Sequence, residues 1–382
     1  MASLPNLDLS TAVQYHYGKF PPLQLDYGKL VPQLVAATAA IARYDQMLKS
    51  MHNSEILLRP LRSQEAVISS RMEGTVSTMD EILQYEADLE ETKEGSDTPS
   101  STVARSEIIE TYLYQRALKA AQSALEEGQP ISQYLIRSAH QTLLSFGRGA
   151  ALSPGKFKTE QNYLADRAKR KILFVPIVPE QLAAGLDSLF GYIEKSNDVP
   201  LIKAAISHVE FEALHPFKDG NGRIGRMLIT LLLWQSKVIS QPHFYISGYF
   251  EENKDAYIDT MRAVSESNDW TGWVEFFLTA VEQQANRNLE VAESIRHLYE
   301  DLKQEFSKHL ASKWCVLALD FLFTNPVFRN SKFTGAAGIP PASAAKIAKQ
   351  LVEGGYLRTH EEASGRRAAM YVFEPLLKLV RV

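Results

Sequence analysis

Two apolar helical stretches, 200–214 and 224–237, are joined by the run His215-Pro216-Phe217-Lys218-Asp219-Gly220-Asn221-Gly222-Arg223-Ile224-Gly225-Arg226, and this junction constrains the chain more than any other part. Asp219-Gly220-Asn221-Gly222 reads as a tight turn that feeds a helix. Such a turn presents unpaired backbone N–H groups at the positive end of the helix dipole, which makes an anion site. Arg223 and Arg226 are three apart in the first helical turn and can face the same anion. Two guanidiniums above a backbone nest suit a polyphosphate, since each binds two oxygens at once. Asp219 would repel that ligand unless it holds Mg²⁺, which bridges phosphate oxygens and reverses the local charge argument. His215, with a reference pKa of about 6.5, suits a proton acceptor at neutral pH. Base, metal ligand, nest and paired arginines together describe a phosphoryl- or nucleotidyl-transfer site.

The rest of the chain is mostly helical in pattern. Leu34, Ile41, Tyr44 and Leu48 space a helix over 32–49, and a second runs over 59–72 with Pro60 in its first turn and Gly74 as its stop. Residues 90–102, acidic and then Ser/Thr/Gly/Pro-rich, read as an exposed linker. Beyond it come helices over 105–126 and 131–144, the latter started by Pro130. Between them and the central junction, Ile172, Leu173, Phe174, Val175 and Ile177 read as a strand preceded by a basic turn, which makes a hairpin. The last part, from 312 on, changes character: helices over 314–323 and 341–354 with a short piece at 333–338 between them. Two β-rich pieces follow, 356–360 and 369–373, joined by Ala363-Ser364-Gly365-Arg366. That order predicts a winged helix.

Length and composition narrow the setting. A chain of 382 residues with 45% hydrophobic and 23% charged residues suits a soluble protein of two or three domains. A net charge of −4 gives no whole-chain footprint for nucleic acid, and one cysteine, Cys315, excludes intramolecular disulfides and Cys-rich zinc sites. Residues 1–9 carry no signal-peptide pattern, and the apolar run at 227–234 is far shorter than the roughly 20 residues a bilayer requires. Cytoplasmic location and no membrane partner are expected.

The run from His215 to Arg226 resembles the Fic family signature, His-Pro-Phe-x-Asp/Glu-Gly-Asn-Gly-Arg-x-x-Arg, at every defined position. The resemblance implies a mainly α fold, with a Fic-type helical core over 103–285 and a β-hairpin flap over 162–179. It also implies transfer of AMP from ATP to a hydroxyl of a target protein. His215 would be the base and Asp219 the Mg²⁺ ligand. Gly220, Asn221 and Gly222 would cradle the phosphates, with Ile224 and Gly225 in the same turn, while Arg223 and Arg226 hold the outer phosphates. The flap would pair with an extended segment of the target. Ser247-Gly248-Tyr249-Phe250 with Asn253 and Tyr257 resembles the family's adenine-side segment, which makes Tyr257 and then Asn253 the nucleobase contacts.

Ser69-Ser70-Arg71-Met72-Glu73-Gly74 resembles the family's inhibitory helix, Ser/Thr-x-x-x-Glu-Gly/Asn. Ser69 and Glu73, four apart, would share a helix face, and Glu73 would pair with Arg226 in place of the γ-phosphate. The resulting division is an N-terminal helical extension with the brake (1–102), the Fic core (103–300) and a C-terminal winged helix (310–382). Ser343, Lys346 and Lys349 on 341–354 give a thin footprint for DNA, so docking of a target or homodimerisation is the favoured role of the last domain. A DNA-binding regulator whose core senses nucleotide is the alternative, though a sensor needs no base at 215. A donor other than ATP, self-modification and removal of AMP all stay open.

Overall fold

A computed structural model describes residues 10–50, 55–93, 105–166, 171–365 and 367–381. Residues 1–9, the 94–102 part of the expected linker, the basic turn at 167–170 and Arg366 lie outside the described residues. In chain order the elements are β1 (Val13–Gln14), α1 (Tyr27–Lys49), α2 (Glu55–Met72), α3 (Met79–Lys93), α4 (Ser106–Glu126), α5 (Gln133–Leu143), β2 (Leu164–Asp166), β3 (Lys171–Val175), α6 (Pro179–Lys195), α7 (Pro200–Leu214) and α8 (Asn221–Gln235). Then follow α9 (Ser247–Glu252), α10 (Lys254–Ser267), α11 (Trp270–Leu310), α12 (Cys315–Thr324), β4 (Val327–Arg329), α13 (Asn330–Ala336), α14 (Pro341–Glu353), β5 (Arg358–Glu361), β6 (Met370–Val372) and α15 (Glu374–Val380). No described helix is long and apolar enough to cross a membrane. The chain forms two compact units, one of Met1–Asp45 with Leu113–Asn286, the other of Gln46–Tyr112 with Arg287–Val382.

The first unit is built around α7 and α8. Pro200 at the first position of α7 starts it where the missing N–H costs nothing. Both helices are apolar on nearly every side and are buried accordingly. They approach closely at Gly225, where a Cβ would meet Glu212 Oε1 at 2.2 Å and Phe211 Cδ1 at 3.2 Å. The expected hairpin is present as β2 and β3, antiparallel, with a register shift between Leu164 and Ala165. A third strand, not foreseen, completes the sheet in the order β1–β3–β2: β1 runs parallel to β3, with Val13 opposite Phe174. Two buried side chains hold β1 in place. Tyr15 donates to Glu210 Oε1 of α7 (2.6 Å), and His16 bridges Glu210 Oε2 and Ser265 Oγ, each at 2.7 Å.

In the second unit α2 and α3 pack with the C-terminal elements, α12 and α15 against α2 and β4 against α3. Here β4, β6 and β5 form an antiparallel sheet in that order. Arg329 of β4, 1% exposed, is held by Asp88 of α3 (2.7 Å) and Glu361 of β5 (2.5 Å), and Arg367 reaches Asp88 as well (2.9 Å). Several boundaries differ from the sequence reading. The linker was expected from residue 90, but α3 continues to Lys93. α1 begins at Tyr27, where Asp26 Oδ1 accepts the Lys29 amide (3.3 Å) and so supplies the cap, and Pro32 lies inside the helix. α2 likewise begins at Glu55, with Pro60 inside.

Candidate active site

α7 ends at a left-handed residue, His215 (φ 45°, ψ 61°), whose amide donates to Phe211 O. A non-glycine residue in this region is strained, more so before a proline. His215 Nδ1 lies 3.3 Å from Glu212 O, which can only accept, so that contact requires Nδ1–H and leaves Nε2 as the basic nitrogen. The turn that follows is held internally by Asn221, whose Oδ1 accepts the Phe217 amide and whose Nδ2 donates to Phe217 O, both at 2.8 Å. The Asn221 side chain is therefore committed to the loop, which leaves its backbone amide for the phosphate cradle expected of this turn.

Gly220 sits at φ 77° as the N-cap of α8, and its amide donates to Asp219 Oδ1 (2.7 Å). Ile224 makes the first bond of the helix, to Gly220 O, so the amides of Asn221, Gly222 and Arg223 precede it and point out of the helix end. Arg223 is only 3% exposed, yet its Nε and Nη1 have no hydrogen-bond partner among the described residues. Its Nη2 lies 3.9 Å from Asp219 Oδ2. A buried guanidinium with bare donors is costly and asks for an anion. Arg226 is buried one turn on, while Ile224 and Gly225 face the helix packing.

The remaining expected residues are distributed as follows. Tyr257 is 4% exposed; its hydroxyl meets His208 Nε2 (2.8 Å) and its ring stacks on Phe250 at 4.3 Å, so it is a core residue with its ring faces engaged. Asn253, half-buried between α9 and α10, donates to Tyr249 O. Gly248 and Tyr249 lie against Gln284, whose Oε1 accepts the Tyr249 amide (2.9 Å). In the second unit Ser69 is buried in α2, and Glu73 lies in the turn just beyond Met72, its amide donating to Ser70 O (3.1 Å). Gly74 follows at φ 83°.

Three polar residues that the sequence reading passed over sit against the loop. His140 of α5 accepts the Gly155 amide at Nδ1 (2.8 Å), so its Nε2–H donates to Asp219 O (2.9 Å), and its ring stacks on Phe217. Burial, with help from the Arg223 charge, pushes its pKa down to about 4. Lys158 is 3% exposed, and burial lowers its amine to about 7. Its Nζ donates to Leu214 O (3.0 Å) and Asn162 Oδ1 (2.8 Å), and Asn162 Nδ2 in turn donates to His215 O and Phe217 O, both at 3.0 Å. No sequence signal singles these three out, because each is a lone polar residue amid loop or helix.

Two models of one family match the chain: Fic/DOC family N-terminal over residues 31–123 and Fic/DOC family over residues 130–233. The chain belongs to the Fic/DOC family. The protein adenylyltransferase fic-1 of Caenorhabditis briggsae is 30% identical over 114 residues, 29% of this chain and 21% of that protein. A probable protein adenylyltransferase of Aquifex aeolicus is 36% identical over 73 residues, 19% of this chain and 20% of its own. The chain thus spans about a fifth of the length of these relatives. Among solved structures, a Fic family protein from Desulfovibrio desulfuricans superposes with a TM-score of 0.56 at 19% identity, over 92% of this chain and 98% of that one. The Fic-1 fragment of Caenorhabditis elegans gives 0.53 at 20%, over 70% and 75%. These likenesses establish the mainly helical Fic fold.

Proposed function

We propose that the chain transfers AMP from ATP to a Tyr, Thr or Ser hydroxyl of a target protein. His215 Nε2 takes the hydroxyl proton, the oxygen attacks the α-phosphorus, and the bond to the β-phosphate oxygen breaks as pyrophosphate leaves. The observation that carries this reading is the buried Arg223 with two bare donors beside the open amides of α8, next to a histidine with a basic nitrogen. A polyphosphate satisfies all of them at once. The side chain of Asp219 is 42% exposed and keeps Oδ2 at the rim of this nest, which fits Mg²⁺ bound by one carboxylate and phosphate oxygens. That ion would supply charge neutralisation on the phosphates. Arg223 and Arg226 hold the outer phosphates, and Asn253 is the better nucleobase contact now that the ring of Tyr257 is engaged in the core. The β2–β3 hairpin is the target's docking strand.

Glu73, with Ser69 behind it, is the brake. Its carboxylate follows the last turn of α2 and, in place of the γ-phosphate, takes a cationic partner. Arg226 is that partner in this reading. The C-terminal part, with the four helices α12–α15 and the β4–β6–β5 sheet, we read as a winged helix used for docking or dimerisation in the cytosol. Lys349 of α14 is within 3.7 Å of Glu353, and Arg329 and Arg367 are paired with Asp88, which leaves little charge for DNA.

The test is incorporation of α-labelled ATP into protein with Mg²⁺ present, by the unaltered chain, Glu73→Gly and Glu73→Gly/His215→Ala. Label in Glu73→Gly alone is expected. Label in the double variant removes His215 as base. Absence of label throughout, with lysate offered as target and other nucleotides tried, refutes the transferase.

A further inference from the structure

Four consecutive carbonyls at the end of α7 each receive a hydrogen bond from residues 158 and 162. Leu214 O takes Lys158 Nζ (3.0 Å), His215 O takes Asn162 Nδ2 (3.0 Å), Pro216 O takes the Lys158 amide (2.8 Å) and Phe217 O takes Asn162 Nδ2 again (3.0 Å). Lys158 Nζ also orients the Asn162 amide through its Oδ1, so the two side chains act as one unit. The carbonyls at a helix C-terminus lack intrahelical donors, and a glycine cap is the usual remedy. Here the terminal residue is a histidine in the left-handed region, and the donors come from another segment instead.

We propose that Lys158 and Asn162 are positioning residues that lock the peptide planes on either side of His215 and so aim its imidazole. This rests on the transferase reading of the same site. Two considerations separate a positioning role from mere packing. First, among the described residues Lys158 has no carboxylate partner. An amine buried against carbonyls alone is a poor stabiliser compared with an apolar side chain of similar size. Second, the clamp acts on the carbonyls of residues 214–217 and shares only Phe217 O with the contacts that hold the phosphate side of the loop. The phosphate side is held by Asn221 on Phe217, by His140 on Asp219 O and by α8 itself. Loosening the clamp therefore misaims the base while the nest stays formed, and small misplacements of a catalytic group are expensive in rate.

The experiment uses the full chain in the Glu73→Gly background, with Lys158→Met, Asn162→Ala and the conservative Lys158→Arg. The first readout is the rate of AMP incorporation. Lys158→Met and Asn162→Ala should lower kcat at least about tenfold with KM for ATP within about twofold, and Lys158→Arg should restore most of the rate. The second readout needs no activity. With histidines labelled at Cε1 and the His215 signal assigned by its loss in His215→Ala, the clamp variants should shift or broaden that signal, while the His140 signal stays in place. An unmoved His215 signal overturns the clamp whatever the rates. A fall in kcat matched by a rise in KM and a lower melting temperature also overturns it, since that is the signature of lost folding. If the Glu73→Gly parent carries no label but the His215 signal responds, the clamp stands and the transferase reading falls.

Discussion

The left-handed backbone at His215 makes a prediction whose sign opposes the usual order of residues. Consider His215→Gly and His215→Ala, which both remove the imidazole and its contacts, so those terms cancel between them. At φ 45° an alanine keeps the Cβ clash that costs roughly 1–2 kcal/mol, and glycine does not. Glycine loses more backbone entropy on folding, which costs about 0.5–1 kcal/mol relative to alanine. The clash outweighs the entropy, so the glycine variant should be the more stable by about 0.5–1 kcal/mol. Within a helix, where φ is negative, alanine would win by a similar margin. Urea unfolding followed by tryptophan fluorescence reads the difference as a shift in midpoint at unchanged slope, because Trp234, Trp270 and Trp273 all lie in the first unit. Equal midpoints, or a more stable alanine variant, would refute the claim that the histidine is held in strain.

Acid should loosen the loop through His140. Its folded pKa of about 4 lies below the reference value, so the neutral ring stabilises the fold fully above pH 6.5, and that contribution is lost as pH falls towards 4. Between pH 7.5 and 5 the loss is about 2 kcal/mol at 1.36 kcal/mol per unit. His140→Gln should show a pH dependence of the urea midpoint weaker by that amount, and an unchanged slope would exclude the assignment. In the second unit, Arg329→Met leaves the carboxylates of Asp88 and Glu361 without their buried cation and should cost about 3–5 kcal/mol. Faster hydrogen exchange in α3 and β6 would register it, and unaltered exchange there would count against the pair's importance. In the first unit, Gly225→Ala should push α7 and α8 apart, because its Cβ would sit 2.2 Å from Glu212 Oε1, and a variant as stable as the parent would show that Glu212 simply swings aside.

What could be read in advance depended on whether a signal was local. The boundaries of α7 follow from Pro200 and from the turn after it, and the loop's chemistry follows from residues adjacent in the chain. The starts of α1 and α2 were misjudged because each proline was taken as a first-turn residue, whereas both helices carry it inside. α3 was overlooked since its acidic tail reads as linker, and the cations that pair with that tail, Arg329, Lys332 and Arg367, lie far along the chain. Lys158 and Asn162 were invisible for a related reason. A lone lysine in a loop has no pattern, and its meaning appears only when the carbonyls of residues 214–217 are brought to it.

The parallel pairing of β1 with β3 also sets a timetable. Residues 13–16 leave the ribosome early, yet their partners are Phe174, Val175, Glu210 and Ser265, and the His16–Ser265 bond spans 249 positions. At roughly 5–20 residues per second, synthesis of that interval takes on the order of ten to fifty seconds. Until β3 emerges the strand waits without its sheet, its polar backbone open to chaperones or to a neighbouring nascent chain. The tether to α10 comes last, so a polypeptide released before residue 265 would carry a complete signature loop and all three strands of the sheet but lack the Ser265 partner of His16.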